Sequence, residues 1–230
     1  MRAFIFPGQG SQTVGMGAAL AEASGAARDV FAEVDEALGQ NLFRLMRDGP
    51  DDELKLTENA QPAIMAHSLA VFRTLGLSLP DVAGFVAGHS LGEYSALCAA
   101  GSLDLSTTAK LLKLRGQAMQ RAVPVGEGAM AALLGVDLEL AQKIADAAAQ
   151  GEVCTVANDN DPSQVVISGA KAAIDRAIAM AKDMGAKRAV PLPVSAPFHC
   201  PLMQPAAEAM RDALSYVVVE QPVVPVFANV

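Results

Sequence analysis

The sequence predicts an α/β protein in two parts, a larger one around a parallel sheet and a smaller one inserted into it. Three observations carry that expectation. Short apolar runs at 3–6 and 82–87 are each followed by a glycine-rich turn and then by helix-like periodicity. Between residues 123 and 191 the signals read strand, helix, strand, strand, helix, strand, the order of a ferredoxin-like unit. After 191 a proline-punctuated loop, a helix and a last strand return to the larger part. The expected boundaries are therefore 1–122 with 192–230 for the larger subdomain and 123–191 for the insertion.

Taken in order, "AFIF" (3–6) is a strand, residues 7–17 a glycine-rich loop, and helical stretches run to about 49. "AQPAIMAHSLAVFRTLG" has apolar residues at helical spacing and should end at Gly76. "VAGFVA" (82–87) is a buried-strand candidate, and 91–100 and 106–122 read as helices, the second opening at Ser106. In the insertion, "AMAALLGV" is a strand, 138–149 a helix and "VCTVAN" a strand. "DNDPS" then reads as a turn, "QVVIS" as a strand, 171–184 as a helix and "KRAVPL" as a strand. A helix over 201–215 and a strand near 223–228 finish the chain.

Composition narrows the function classes. With 230 residues, 52% hydrophobic and 18% charged, the chain can bury a large core. No apolar run approaches the ~18 residues of a membrane span. The N-terminal apolar segment is too short for a signal peptide, so a cytoplasmic protein is expected. A net charge of −8 without a basic stripe argues against broad nucleic-acid binding. Cys98, Cys154 and Cys200 are odd in number and far apart, which points to neither a disulfide framework nor a metal site. The acidic turn "NDND" (158–161) lacks the glycine and terminal glutamate of a calcium loop. "FPGQGSQTVGMG" fails both phosphate-loop patterns, having Thr13 where one needs glycine and Met16 where the other needs lysine.

The informative stretch is "GFVAGHSLGEYSAL" (84–97). Ser90 and Glu93 fit a helix capping box, which needs neither flanking glycine. Gly88 and Gly92 fit a nucleophile elbow, where strand passes to helix through a tight turn and the serine is exposed at its apex. The two readings partly coexist. On the second, the larger part is α/β-hydrolase-like, and the Leu91 N–H points where an oxyanion would develop. A second donor must come from another loop, for which residues 7–17 are placed after the first strand.

A nucleophilic serine needs a base, and the chain has three histidines. His89 adjoins Ser90 and points away from it. His67 lies among apolar helix residues. His199, between Pro197 and Pro201 in "VSAPFHCPLM", remains. Pro201 suits the first position of a helix.

At this point the residues carry a resemblance. "FPGQGSQTVGMG", "AGHSLGEYSAL", "LRGQAMQ", "GAMAALLG", "QVVISG", "GAKRAVPLPVSAPFHCPLM" and "VPVFANV" run in order from residue 3 to residue 230. Together they resemble the bacterial malonyl-CoA:acyl carrier protein transacylases. That resemblance implies malonyl transfer through a malonyl-serine on Ser90, with His199 handling the proton. It adds the backbone N–H of Gln9 to that of Leu91 as oxyanion hole. Arg115 in "KLLKLRGQAMQ" matches the arginine that grips the malonyl carboxylate, although sequence alone reads it as a surface helix residue. Asn158 and Gln61 stand in matching segments as pocket residues, and Phe198 suits a small acyl group.

The implied partners are malonyl-CoA and acyl carrier protein, the phosphopantetheine being carried by the latter, with no cofactor or metal of the chain's own. A monomer is expected. Both partners are acidic, so Lys110, Lys113, Lys187 and Arg188 are expected to form a local basic patch. Family members usually continue beyond "FANV", which implies that the catalytic part is cut short at Val230 and that the carbonyl orienting His199 lies further on. The alternatives are a thioesterase using the same elbow, and a catalytically weak fragment that binds carrier protein.

Overall fold

The first strand forms from a short run of apolar β-formers, and the helices that follow include two capped by side chains, those of Ser24 and Asn41. In the computed structural model, which describes residues 2–229, β1 spans Ala3–Phe6. Met1 and Val230, the outermost positions of the expected larger subdomain, lie outside the described residues. After the glycine-rich loop come α1 (Ala18–Ala23), α2 (Gly25–Leu38), α3 (Leu42–Asp48) and α4 (Asp51–Lys55). Ser24 caps α2 by accepting from the Ala27 N–H, and Gly39 ends it at φ 58°. Its inward face is Ala27, Val30, Phe31 and Val34, the spacing of one helical stripe. The central helix α5 (Thr57–Thr74) starts earlier than its periodicity suggested and buries nearly every residue from Asn59 to Ala66.

A short helix α6 (Leu79–Val82) takes the first position of the predicted strand, so β2 begins later and spans Phe85–Gly88. Pro80 in its first turn explains the shift, since a fixed φ favours starting a helix. Helix α7 (Leu91–Ala99) follows, then α8 (Leu105–Ala122). Asp104, rather than Ser106, caps α8: its carboxylate accepts from the Thr107 N–H at 2.7 Å and from Thr107 Oγ1.

The middle of the chain contains β3 (Gly128–Leu134), α9 (Leu138–Ala149), β4 (Cys154–Asp161), β5 (Gln164–Ala170), α10 (Lys171–Ala181) and β6 (Arg188–Pro191). The predicted turn at 158–161 is instead the end of β4, which reaches Asp161 through two register irregularities after Val156 and Asp159. Bulges let a polar stretch continue in a ladder. The chain reverses at Pro162 and Ser163, with the Ser163 N–H donating to the Asp161 carboxylate at 2.7 Å. A 3-10 turn (Pro201–Met203), α11 (Gln204–Ser215) and β7 (Val226–Phe227) complete the order.

Two sheets result. One is parallel, in the order β1-β2-β7. The other is antiparallel, in the order β4-β5-β3-β6, the strand arrangement of a ferredoxin-like unit. The chain divides into two compact units, Met1–Gln117 with Asp212–Val230, and Ala118–Arg211. In the first, α5 lies, through Ile64 and Leu69, in a core with Phe31, Leu42, Val86, Leu91 and Leu112. In the second, alternation along β3 separates two cores. Ala131 and Leu133 face the alanine-rich sides of α9 and α10, whereas Met130 and Ala132 join Met119, Phe198 and Met203.

The three cysteines are free thiols. Burial pushes Cys98 and Cys154 up to about 11, which keeps both protonated at neutral pH. Among the described residues no helix is long and apolar enough to cross a membrane.

His67 gives a pH prediction. Burial holds its imidazole below the ordinary 6.5, and Nδ1 is buried without a hydrogen-bond partner. The unfolded chain therefore takes up the proton first on acidification. Stability is expected to fall as pH drops from about 6.5 through the depressed folded value. Chemical denaturation of His67→Gln should lose that part of the slope.

Candidate active site

Strand β2 ends at Gly88 and α7 begins at Leu91, so His89 and Ser90 alone turn the chain. Such a turn forces unusual backbone geometry, and Ser90 sits at φ 53°, ψ −109°. A non-glycine residue there costs about 1–3 kcal/mol and persists where its surroundings enforce it. They do so by backbone contact. A Cβ on Gly88 would lie 1.9 Å from the Gly92 carbonyl carbon, and one on Gly92 would lie 2.4 Å from the Phe6 oxygen. His89 N–H donates to that same Phe6 oxygen at 3.0 Å. The two glycines flanking the serine are thus required by the crossing of strand and helix. Gly88→Ala is expected to destabilise the protein by about 3 kcal/mol or more, because the atoms its Cβ would meet, the Gly92 carbonyl and the Glu93 nitrogen, are all backbone. A thermal melt followed by circular dichroism would register this as a lowered Tm.

The capping box does not form. Ser90 makes no side-chain cap to α7. Its backbone N–H donates to Asn229 Oδ1 at 2.6 Å, and Glu93 accepts from the Asn229 N–H at 2.7 Å. Ser90 Oγ instead accepts from Arg115 Nη2 at 3.0 Å.

Arg115 is delivered by the packing of α8 on the start of α5. Gly116 allows the approach, since a Cβ there would stand 2.5 Å from the Glu58 Cα. A polar cluster holds the two helices together. Lys113 Nζ lies 3.2 Å from the Glu58 carboxylate and donates to Gln40 Oε1 and Asn59 Oδ1, both at 2.9 Å. Gln117 Nε2 donates to Glu58 at 2.9 Å. Lys113, expected in a basic patch, is therefore engaged in this cluster.

The Arg115 guanidinium donates from Nη1 to Gln61 Oε1 at 2.7 Å and lies 5.9 Å from the centre of the Tyr94 ring. Burial pulls its pKa below the ordinary guanidinium value, opposed by Tyr94 and Glu93. It stays charged at any working pH. A buried cation whose hydrogen bonds go to the neutral oxygens of Gln61 and Ser90 has unused capacity for an anion. Gln61, fully buried, fixes the fork from behind.

Gln9 sits in the loop after β1, its Nε2 donating to Thr57 Oγ1 at 3.0 Å. Gly8 lets this loop lie against the elbow, as a Cβ would meet His89 Nδ1 at 2.5 Å. Leu91 is buried at the first position of α7. The structure therefore brings Ser90, Leu91, Arg115 and Gln61 together, with the Gln9 loop packed beside them.

Asn158 and His199 belong to the second unit. Asn158 is half-buried in β4, opposite Val166. His199 is exposed, at φ 58°, in a braced loop. Pro197 packs where a Cβ on Gly128 would stand, and Cys200 Sγ donates to the Pro197 carbonyl at 3.2 Å. Pro201 opens a 3-10 turn rather than the predicted α-helix, which starts at Gln204. Phe198 is buried in that unit's core. Among the described residues no group of three His, Cys, Asp or Glu side chains could hold a metal ion.

Sequence reasoning missed Asn229 and Tyr94. Asn229 stands in the block "VPVFANV", but nothing in the sequence gave it a role, because its partners are about 140 positions away. Tyr94 lies one turn into α7 in a block already quoted, and only its contact with Arg115 reveals a use.

Residues 3–230 match the acyl transferase domain family. The chain belongs to that family. Among its relatives is a malonyl CoA-acyl carrier protein transacylase of Haemophilus influenzae, 48% identical over 229 residues, covering 99% of this chain and 73% of the relative. The corresponding protein of Bacillus subtilis is 48% identical over 232 residues, covering 99% and 72%. A crystal structure of an acyl-carrier-protein S-malonyltransferase from Bartonella henselae superposes with a TM-score of 0.95 at 55% identity, covering 100% of this chain and 74% of that one. A malonyl-transacylase solved with a type II PKS acyl-carrier protein gives a TM-score of 0.95 at 45% identity, covering 99% and 74%. Within the acyl transferase family, the likeness thus extends through both sheets and the elbow.

Proposed function

We propose that the chain transfers a malonyl group from malonyl-CoA to the phosphopantetheine thiol of acyl carrier protein. One observation carries the reading: a buried arginine donates to the hydroxyl of an elbow serine at 3.0 Å. In malonate a single methylene separates the acyl carbon from the free carboxylate. A cation beside the nucleophile therefore reads the far end of the acyl group being transferred.

In the first half-reaction Ser90 Oγ attacks the thioester carbonyl while His199 takes the hydroxyl proton. The N–H groups of Leu91 and Gln9 receive the developing oxyanion. Collapse breaks the carbon–sulfur bond, and CoA leaves as a thiol with the proton from His199. The carrier-protein thiol then gives its proton to His199 and attacks the malonyl ester. Ser90 leaves and recovers that proton. Arg115 grips the carboxylate through both steps, with Gln61 orienting its guanidinium and Asn158 lining the pocket. The relatives' names and the carrier-protein complex support both substrates. The remaining parts of the reading are action as a cytoplasmic monomer without a metal or resident cofactor.

Incubation with malonyl-CoA and holo-acyl carrier protein tests the reading. Malonyl-carrier protein and free CoA are expected. Release of malonate without carrier loading would make the chain a thioesterase, and neither product would make it a silent carrier-binding fragment.

A further inference from the structure

We propose that Asn229 is a positioning residue that holds Ser90 in its reactive conformation, an inference that rests on the reading of Ser90 as nucleophile. Three hydrogen bonds converge on this one residue. Its Nδ2 donates to the Gly88 carbonyl at 2.7 Å, its Oδ1 accepts from the Ser90 N–H at 2.6 Å, and its own N–H donates to Glu93 Oε2 at 2.7 Å. The side-chain amide therefore bridges the residues before and after His89, across the apex of the turn. An acceptor on one side and a donor on the other fix its orientation, so the bridge has one sense.

The clamp has two consequences. It opposes relaxation of Ser90 from φ 53°, a conformation that surrounding contacts must enforce. It also occupies the Ser90 N–H, which leaves the Leu91 N–H as the elbow's donor to an oxyanion. Glu93, engaged by the Asn229 backbone, does not close a capping box on Ser90.

Register explains how a residue so distant in sequence arrives there. Strand β7 runs parallel to β2, with Val226 opposite Val86 and Phe227 opposite Ala87. The Phe85 and Phe227 rings meet edge to face at 4.9 Å and brace the pair. Two residues further along, β7 has carried Asn229 to the strand end from which the elbow springs.

The test is single-turnover malonylation of Ser90, read by rapid quench and intact mass. Asn229→Ala is expected to slow acylation roughly 10²-fold, the scale of a small misplacement of a reacting group. KM for malonyl-CoA and the malonyl-to-acetyl preference should both stay within about threefold, since the Arg115 contacts are separate from the clamp. A merely structural role would instead lower Tm and the active fraction, leaving the rate of the folded molecules unchanged. Asn229→Asp keeps an acceptor for the Ser90 N–H and should acylate between alanine and wild type. A folded Asn229→Ala acylating within about threefold of wild type, or an aspartate variant no faster than alanine, overturns the inference. Should the alanine variant not fold, wild-type acylation by the aspartate variant overturns it alone. A wild-type protein that forms no malonyl-serine would sink the functional reading itself, a result distinct from all of these.

Discussion

Ser90→Ala and His199→Ala are each expected to reduce kcat for carrier-protein malonylation by roughly 10⁴- to 10⁶-fold, and the double variant by no more than the worse single one. The reason is that in the proposed mechanism the two groups act as one unit. A hydroxyl without a base is a poor nucleophile at neutral pH, and a base without the hydroxyl has no proton to take. Losses on an ordinary surface pair would add instead. Steady-state kinetics of the two singles and the double supply the comparison. Additive losses would mean that Ser90 and His199 serve separate steps. The structure contributes the local setting of Ser90, whose positive-φ backbone between crowded glycines holds its hydroxyl at the turn without making it a helix cap.

Arg115→Ala is expected to cost malonyl loading roughly 10²- to 10³-fold in kcat/KM, the equivalent of removing one partner of a buried charge pair. Acetyl loading should change far less or improve. On the proposed reading, an acetyl group in the wild type would leave the buried guanidinium without an anion, and that unmet demand would be the source of discrimination. The alanine variant removes the demand together with the contact. Arg115→Lys should not restore function, because an ammonium cannot reproduce the planar fork held by Gln61 Oε1. Competition between malonyl-CoA and acetyl-CoA, with both adducts read in one sample, measures the ratio directly. An unchanged ratio in the alanine variant would remove Arg115 from substrate recognition.

What was legible in the sequence was mostly local. Ser90 stands between glycines because a strand and a helix collide there, and that collision is encoded within five residues. The ferredoxin-like order was readable because each of its elements carries its own periodicity, as in the alanine face of α9 and its Asp137 cap. Local signals also misled. Ser106 looked like a helix start, but Asp104 two residues earlier has the charged acceptor and takes the position. The polar run at 158–161 looked like a turn, yet pairing with β5 across two bulges holds it as strand. Arg115 could not be placed from its helix alone, as its meaning depends on Gln61 and Ser90, 54 and 25 positions away. Asn229 is the extreme case, since only the register of β7 on β2 brings it to the elbow.

The most direct measurement is peptide-resolved mass spectrometry of the wild-type chain after brief exposure to malonyl-CoA alone. The account predicts one malonyl group per molecule, carried on Ser90 as an ester and discharged when carrier-protein thiol is added. A label on Cys98, Cys154 or Cys200, or an ester that the thiol cannot discharge, would contradict it.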